Sequence, residues 1–191
     1  GGLAAALAAA LALTGCAATG ASTPSAAPTT LTVVTHDSFN VSPELLAAFE
    51  QSTGLKVTYV APGDAGTLVN QLVLTKDSPL GDVVYGIDNT FAGRALSEQV
   101  TTPYATSALP AADAAALKAD DSNRLTPIDF GDVCVNADTA WFAAHNLAVP
   151  QTLDDLTKAE YKDLLVVPNA ASSSPGMAFL TATVGAKGDP G

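Results

Sequence analysis

Cations are scarce in this chain: Lys and Arg together number 8 against 19 Asp and Glu, a formal net charge of −11. No basic stretch interrupts the sequence, which argues against nucleic-acid binding and gives no electrostatic reason to lie on anionic lipid. The acidity reads first as solubility, with a secondary bias toward a cationic ligand. Cysteine is equally sparse, and Cys16 and Cys134 sit in such different contexts that no disulfide is expected between them. The two histidines, His36 and His145, lie far apart and near neither cysteine. No metal-ligand spacing exists, so no metal or other cofactor is expected. There is no Gly-x-Ser-x-Gly elbow. His36, Asp37 and Ser38 are adjacent in one loop and cannot converge on one atom as base, orienter and nucleophile. No catalytic residue is assigned, and an enzyme is not expected.

What is present begins with residues 3–13, which are only Ala and Leu. Eleven residues are too few to span a bilayer but suit the apolar region of a signal peptide. The run ends in Leu13-Thr14-Gly15-Cys16, which resembles the lipobox of bacterial lipoproteins and makes Cys16 the expected lipidation site. Neither a methionine nor a cationic n-region precedes it, which fits a clipped N-terminus. Gly188-Asp189-Pro190-Gly191 reads as a turn between two elements, so further sequence is expected beyond it. Residues 17–30 are Ala, Thr, Gly, Ser and Pro only, a composition that cannot bury a core and reads as a flexible tether. The apolar content, 48%, is enough for a real core in the remainder.

From Leu31 the patterning alternates. Residues 31–35 form a β-rich run. Ser42-Pro43-Glu44 opens a helix with Ser as N-cap, Pro at the first position and an acid in the first turn. Leu45, Leu46 and Phe49 are its expected buried stripe, and Gly54 ends it. Residues 55–60 read as a second strand, 67–76 as a helix, 82–85 as a third strand and 90–97 as another helix. A weak helix is expected near residues 111–118. Residues 127–136 read as a long strand crossing between two lobes, and 164–167 as a strand of the second lobe. Short helices are expected after Ala140 and after the capping-box-like Thr152-Leu153-Asp154-Asp155. A last helix comes after Ser174 and Pro175. The β-α-β-α-β rhythm implies a parallel sheet with helices on both faces.

In such sheets ligands sit beyond the carboxyl ends of the strands. That rule singles out the loop at His36, the turn Pro62-Gly63-Asp64-Ala65-Gly66, the segment Gly86-Ile87-Asp88-Asn89, and the cluster Ser172-Ser173-Ser174-Pro175-Gly176. The serine cluster has two readings: an ordinary N-cap, or hydroxyl and backbone donors at a helix N-terminus suited to phosphate or carboxylate. Asp64 either pairs with a cationic ring or exocyclic amine or caps the following helix. Asp88, Asn89 and Asp129 either line a cleft or satisfy backbone groups where lobes meet. Cys134 is expected as a small buried hydrophobe, Trp141 as core, and His145 as a surface residue compensating a helix C-terminus.

Taken together, the segments Leu31-Thr32-Val33-Val34-Thr35-His36-Asp37-Ser38-Phe39, Gly63-Asp64-Ala65-Gly66-Thr67-Leu68-Val69-Asn70, Asp82-Val83-Val84-Tyr85-Gly86-Ile87-Asp88-Asn89, Pro127-Ile128-Asp129-Phe130-Gly131 and Ser172-Ser173-Ser174-Pro175-Gly176 resemble the thiamine-binding proteins of bacterial ABC importers. These belong to the periplasmic-binding-protein group that also holds iron(III) and polyamine binders. The resemblance implies an α/β, two-lobed (type II) fold with mixed, mainly parallel sheets. Residues 1–16 would be the signal peptide ending at the lipidated Cys16, 17–30 the tether, 31–126 the first lobe, and 127–191 the crossing strand and start of the second lobe, whose completion lies further on. It also implies an interlobe cleft closing on thiamine or a thiamine phosphate, for which the candidate binding residues of this chain are His36, Asp64, Ala65, Gly66, Asp88, Asn89, Asp129, Ser172, Ser173 and Gly176. By family pattern Asp64 pairs with the cationic or amino-bearing part of the ligand, and Ser172 and Ser173 meet its hydroxyl or phosphate end. His36 stands where the family often carries a tyrosine and would stack on the ligand. A further family aromatic is not evident in Phe39-Asn40-Val41-Ser42.

The implied partners are the ABC permease with its ATPase, and the membrane through a lipid anchor. The implied state is a monomer on the outer face of the cell membrane or in the periplasm. Without the later half, this stretch is expected to bind poorly. A related binding protein for iron(III) or a polyamine is the alternative: the four tyrosines are scattered singly, unlike iron-binding pairs, while Asp64, Asp88 and Asp129 leave a polyamine open.

Overall fold

The computed structural model describes residues 29–110, 112 and 116–188. The expected signal region, Cys16 and nearly all of the expected tether lie outside these, as does part of the weak helix expected at residues 111–118. The described chain runs β1 (Thr30–His36), α1 (Pro43–Thr53), β2 (Lys56–Gly63), α2 (Ala65–Leu74), β3 (Val83–Tyr85), α3 (Ala92–Ser97) and α4 (Thr139–Ala144). Two single-turn 3-10 helices come next, at Asp155–Thr157 and Ala159–Tyr161, and then α5 (Ser174–Lys187). The fold is α/β with a parallel three-stranded sheet in the order β2-β1-β3.

Local chemistry sets these elements. Ser42 is extended (φ −63°, ψ 141°), and its Oγ accepts the Leu45 amide at 3.3 Å, satisfying one of the orphan donors at the start of α1. Gly54 ends the helix in the left-handed region at φ 73°, where a side chain would be strained, and its N–H closes on the Glu50 carbonyl at 2.9 Å. Glu50 then ties α1 to β2. One carboxylate oxygen accepts from the Val57 amide at 2.9 Å and the other pairs with Lys56 at 2.7 Å. Lys56, and after it the Val57 amide, hold the Glu50 carboxyl below its ordinary range. The entry to β3 is pinned by Asp82, whose carboxylate accepts from the Thr32 amide at 2.8 Å while its own amide donates to the Thr32 carbonyl at 2.9 Å.

The core sits where α2 lies against the sheet and α3. Leu68 and Val69 of α2 are completely buried, as is Val34 on the central strand. Ala65, Val69, Phe91 and Ala95 form one apolar cluster, and Met177 from the first turn of α5 packs onto it. Burying a Leu or Val of this kind contributes about 1.5–3 kcal/mol.

Several expectations are corrected. The stripe of α1 is not buried: Leu45 is 65% and Phe49 42% exposed, and Leu46 is only half-covered. Its spacing is right, but no described element lies over that face. Residues 127–136 and 164–167 are not strands. Alternation makes a segment compatible with a sheet, but a strand exists only when a neighbour takes its N–H and C=O groups, and neither run has one among the described residues. For the same reason Cys134 is exposed rather than buried. Trp141 is 38% exposed, lying flat on His145 at a ring-centroid separation of 3.9 Å rather than in the core. The final helix begins one residue early, with Ser173 rather than Ser174 as its N-cap. His145 stands as expected: it closes α4, and its Nδ1 donates to the Trp141 carbonyl at 2.8 Å, since a carbonyl can only accept.

Candidate functional site

The three parallel strands bring their carboxyl ends to one edge, with β1 in the middle. His36, the last residue of β1, pairs in register with Gly63 at the end of β2. On its other side, Thr35 pairs with Tyr85 at the end of β3. The register slips between Val34 and His36, where β2 carries one residue more than β1. Such a bulge bends the strand and re-aims the residues beyond it.

An aromatic wall grows from this edge. The Tyr85 ring lies 5.9 Å from His36 and 5.0 Å from Phe39, centroid to centroid, and Phe39 lies 5.5 Å from Tyr59. Gly86 allows the close packing. It sits at φ +111°, and a Cβ there would come within 2.5 Å of the His36 ring. An open depression of about 280 Å³ lies beside the wall, lined by His36, Phe39, Tyr59, Leu46 and their loop neighbours. Asp129 reaches the wall from the 127–136 run, where its carboxylate accepts the Tyr85 hydroxyl. That hydrogen bond first, then burial and the negative charge, push the Tyr85 phenol up to about 12.

A second feature adjoins the wall across Gly63. Asp64 is the N-cap of α2, its Oδ1 accepting the Ala65 amide at 2.7 Å. The start of α2 is seated against the serine cluster. The Gly66 amide donates to the Ser172 carbonyl at 3.1 Å, and a Cβ on Gly66 would stand 2.7 Å from the Ser172 Cα and from the tip of Phe91. The N-termini of α2 and α5 therefore meet, with the positive ends of both helices in one corner. Ser173, at that meeting point, is 5% exposed, and its Oγ has no partner. Leaving a buried hydroxyl unpaired costs about 1–3 kcal/mol. Gly176 is buried one turn further on, so close to the Pro168 carbonyl that a Cβ would lie 2.3 Å from it.

The structure thus places His36 and the Asp64-Ala65-Gly66 turn at neighbouring strand carboxyl ends, ties Asp129 to Tyr85 at the end of β3, and seats Ser172 against Gly66, with Ser173 next to it. Asp88 is otherwise engaged. Its Oδ1 accepts from the Thr90 amide at 2.9 Å, the Thr90 hydroxyl at 2.7 Å and the Phe91 amide at 3.1 Å, opening the turn into α3. Asn89 is exposed beside it. Gly176 serves close backbone packing. Tyr85, Phe39 and Tyr59 are the residues that sequence reasoning passed over. Tyr85 lies at a strand's carboxyl end and was open to the same rule that found Asp64.

Chemically, the wall offers aromatic faces beside a carboxylate, an arrangement that attracts a flat cation. In the adjoining corner the Ala65 and Gly66 amides are already bound to Asp64 and Ser172, and what it offers an anionic or hydroxylic group is the unpaired Ser173 hydroxyl beside two helix N-termini. Among the described residues no group of His, Cys, Asp and Glu is placed to hold a metal ion, and no helix is long and apolar enough to cross a membrane.

Comparison with known proteins bears out the resemblance. The profile of the family described as bacterial extracellular solute-binding protein matches residues 78–190. The thiamine-binding periplasmic protein of Brucella suis is 26% identical over 161 residues, covering 79% of this chain and 44% of that protein. Proteins of the same description from Brucella abortus and Brucella melitensis are each 25% identical over 160 residues, covering 78% of this chain and 44% of their own length. The chain spans less than half the length of these relatives.

Proposed function

The chain belongs to the bacterial extracellular solute-binding protein family, and from that premise we propose that it captures thiamine or a thiamine phosphate outside the cytoplasm and delivers it to an ABC permease. The observation that carries this reading is the juxtaposition at the strand ends. An aromatic wall with the Asp129 carboxylate stands beside a corner of two helix N-termini. Thiamine has matching halves: a flat cationic ring system and a hydroxyethyl arm that can carry phosphate. The names of the Brucella relatives support the same cargo. In this reading Asp64 and Asp129 face the cationic or amino-bearing part, His36 lies along a ring, and Ser172 and Ser173 receive the hydroxyl or phosphate. Asp88 and Asn89 shape the neighbouring loop, and Ala65, Gly66 and Gly176 let backbone approach closely. The protein binds and releases without chemistry, as a monomer.

Residues 31–126 form the first lobe and 127–191 begin the second, and the cleft closes between them. Cys16, once acylated, anchors the protein to the outer face of the membrane, with residues 17–30 as its tether. Two acyl chains are enough for a durable anchor. Labelling with a fatty-acid probe should mark the wild type, and Cys16→Ser should remove the label; a label that survives that change refutes the anchor.

Calorimetric titration of thiamine into the full-length protein tests the cargo. Asp64→Asn keeps an oxygen for the Ala65 amide but removes the charge, so it should weaken thiamine by roughly tenfold while leaving α2 capped. No heat from thiamine or its phosphates, with heat from a ferric or polyamine ligand instead, would transfer the protein to another cargo of the same family.

A further inference from the structure

We propose that Tyr85 is a positioning residue: it holds the Asp129 carboxylate over the carboxyl ends of β1 and β3 so that an uncompensated negative charge faces a cationic ligand. The inference rests on the cargo reading above and adds a residue to it.

The argument begins with what fails to hold Asp129. Residues 127–136 make no ladder pairing, and the neighbours of Asp129, Ile128 and Phe130, are 70% and 85% exposed. Neither backbone pairing nor packing fixes the run. Among the described residues, the hydrogen bond that joins it to the sheet is the one from the Tyr85 hydroxyl to the Asp129 Oδ2. Tyr85 itself is well placed to serve as an anchor. Its backbone lies in β3, paired with Thr35, and its ring is flanked by His36 and Phe39. The direction of restraint therefore runs from the sheet, through the phenol, to the carboxylate.

The choice of a phenol matters. Lysine or arginine in that place would fix Asp129 equally well but would cancel its charge. A tyrosine hydroxyl is a neutral donor, so it orients the carboxylate and leaves the charge intact. It occupies Oδ2 and leaves Oδ1 free to accept. The described ion pairs engage Glu50, Glu98, Asp121, Asp154 and Asp155, and none involves Asp129. The phenol, pushed up to about 12, stays protonated and donating across the working pH range. His36 is the other titratable group against the Tyr85 ring, and it contacts the ring rather than the hydroxyl.

The test is a double-mutant cycle in the full-length protein, with thiamine as the probe in calorimetry. Tyr85→Phe keeps the ring contacts with His36 and Phe39 and removes only the hydroxyl; it should weaken thiamine by roughly tenfold. Asp129→Asn should weaken it at least as much. The double variant should bind no worse than Asp129→Asn alone, because Tyr85 acts only through that carboxylate. A ligand-free reading runs in parallel. Alkaline absorbance titration should show one phenol ionising near 12 in the wild type and moving down toward the ordinary tyrosine range in Asp129→Asn, an exposed substitution that leaves the fold intact. Unchanged or tighter thiamine binding by Tyr85→Phe, additive losses in the double variant, or an unmoved phenol in Asp129→Asn each overturn the inference while leaving the cargo in place. A wild type that takes up no thiamine refutes the cargo reading itself, and this inference with it.

Discussion

The seat of α2 on the serine cluster makes a quantitative demand on Gly66. Replacing it with alanine changes three terms. Alanine is the better helix former by up to about 1 kcal/mol, and by less at the second residue of a helix. Against this, the added Cβ would stand 2.7 Å from the Ser172 Cα and 2.8 Å from the Ala171 carbonyl oxygen. Both are backbone atoms that cannot swing aside, and overpacking of this kind costs about 1–3 kcal/mol. Pushing the two segments apart also stretches the Gly66 to Ser172 hydrogen bond, now 3.1 Å, which contributes about 0.5–1.5 kcal/mol. Sterics win, and Gly66→Ala should destabilise by about 1–3 kcal/mol. At a urea slope of about 2 kcal/mol/M, that lowers the midpoint by roughly 1 M. Gly185→Ala is the matched control. It lies inside α5 with nothing within 4 Å of its would-be Cβ, so propensity acts alone and the midpoint should hold or rise slightly. A Gly66→Ala midpoint at or above wild type, with the control behaving as stated, would refute the docking of residues 171–173 on α2.

Two further outcomes are expected. Gly86→Ala combines a φ of +111° with a Cβ 2.5 Å from the His36 ring; it should cost about 1–3 kcal/mol and displace the imidazole. His36 ring resonances that stay put in the variant would contradict this. Asp155 is held below the usual carboxylate range, first by Lys158 and then by the Gln151 amide and the Thr152 hydroxyl. A depressed folded-state pKa stabilises above the unfolded value and is lost as pH falls through the folded one. Lys158→Met should therefore move the Asp155 titration upward in NMR and make the 151–161 turn fray at a higher pH on acidification; identical titration curves would count against the pairing.

The order β1–α1–β2–α2–β3–α3 was legible because its signals are local. Ser42, Pro43 and Gly54 sit within one turn of the ends they define, and each acts there as read. Non-local information was missing. Residues 127–136 alternate like a strand, yet alternation records only which faces differ, not whether a partner strand exists. Leu45 and Phe49 have core spacing on a helix whose outer face no described element covers. At the site, the strand-end rule found His36 and Asp64, and the cap chemistry found the serines. Nothing in one dimension says that the Gly66 amide meets the Ser172 carbonyl. Asp88 illustrates the converse: a carboxylate at a strand end that spends its lone pairs on Thr90 and Phe91. Tyr85 was hidden by its surroundings, where Val83 and Val84 make it read as one more apolar strand residue.

The slip of register beside His36 has a bearing on how this edge tolerates change. Up to Val34 and Val60 the two strands keep step; by His36 the partner is Gly63, one residue later than regular pairing allows. The side of the sheet from which α2 departs, and the direction in which Asp64 is carried, are therefore governed by a count of residues rather than by their kind. Removing a single residue between Val60 and Gly63 would restore the regular ladder and swing the helix start to the opposite face, with His36, Asp64 and the serines unchanged in name. In this protein the length of one strand end is itself a determinant of how the strand-end residues are aimed, and side-chain substitution alone cannot mimic or repair it.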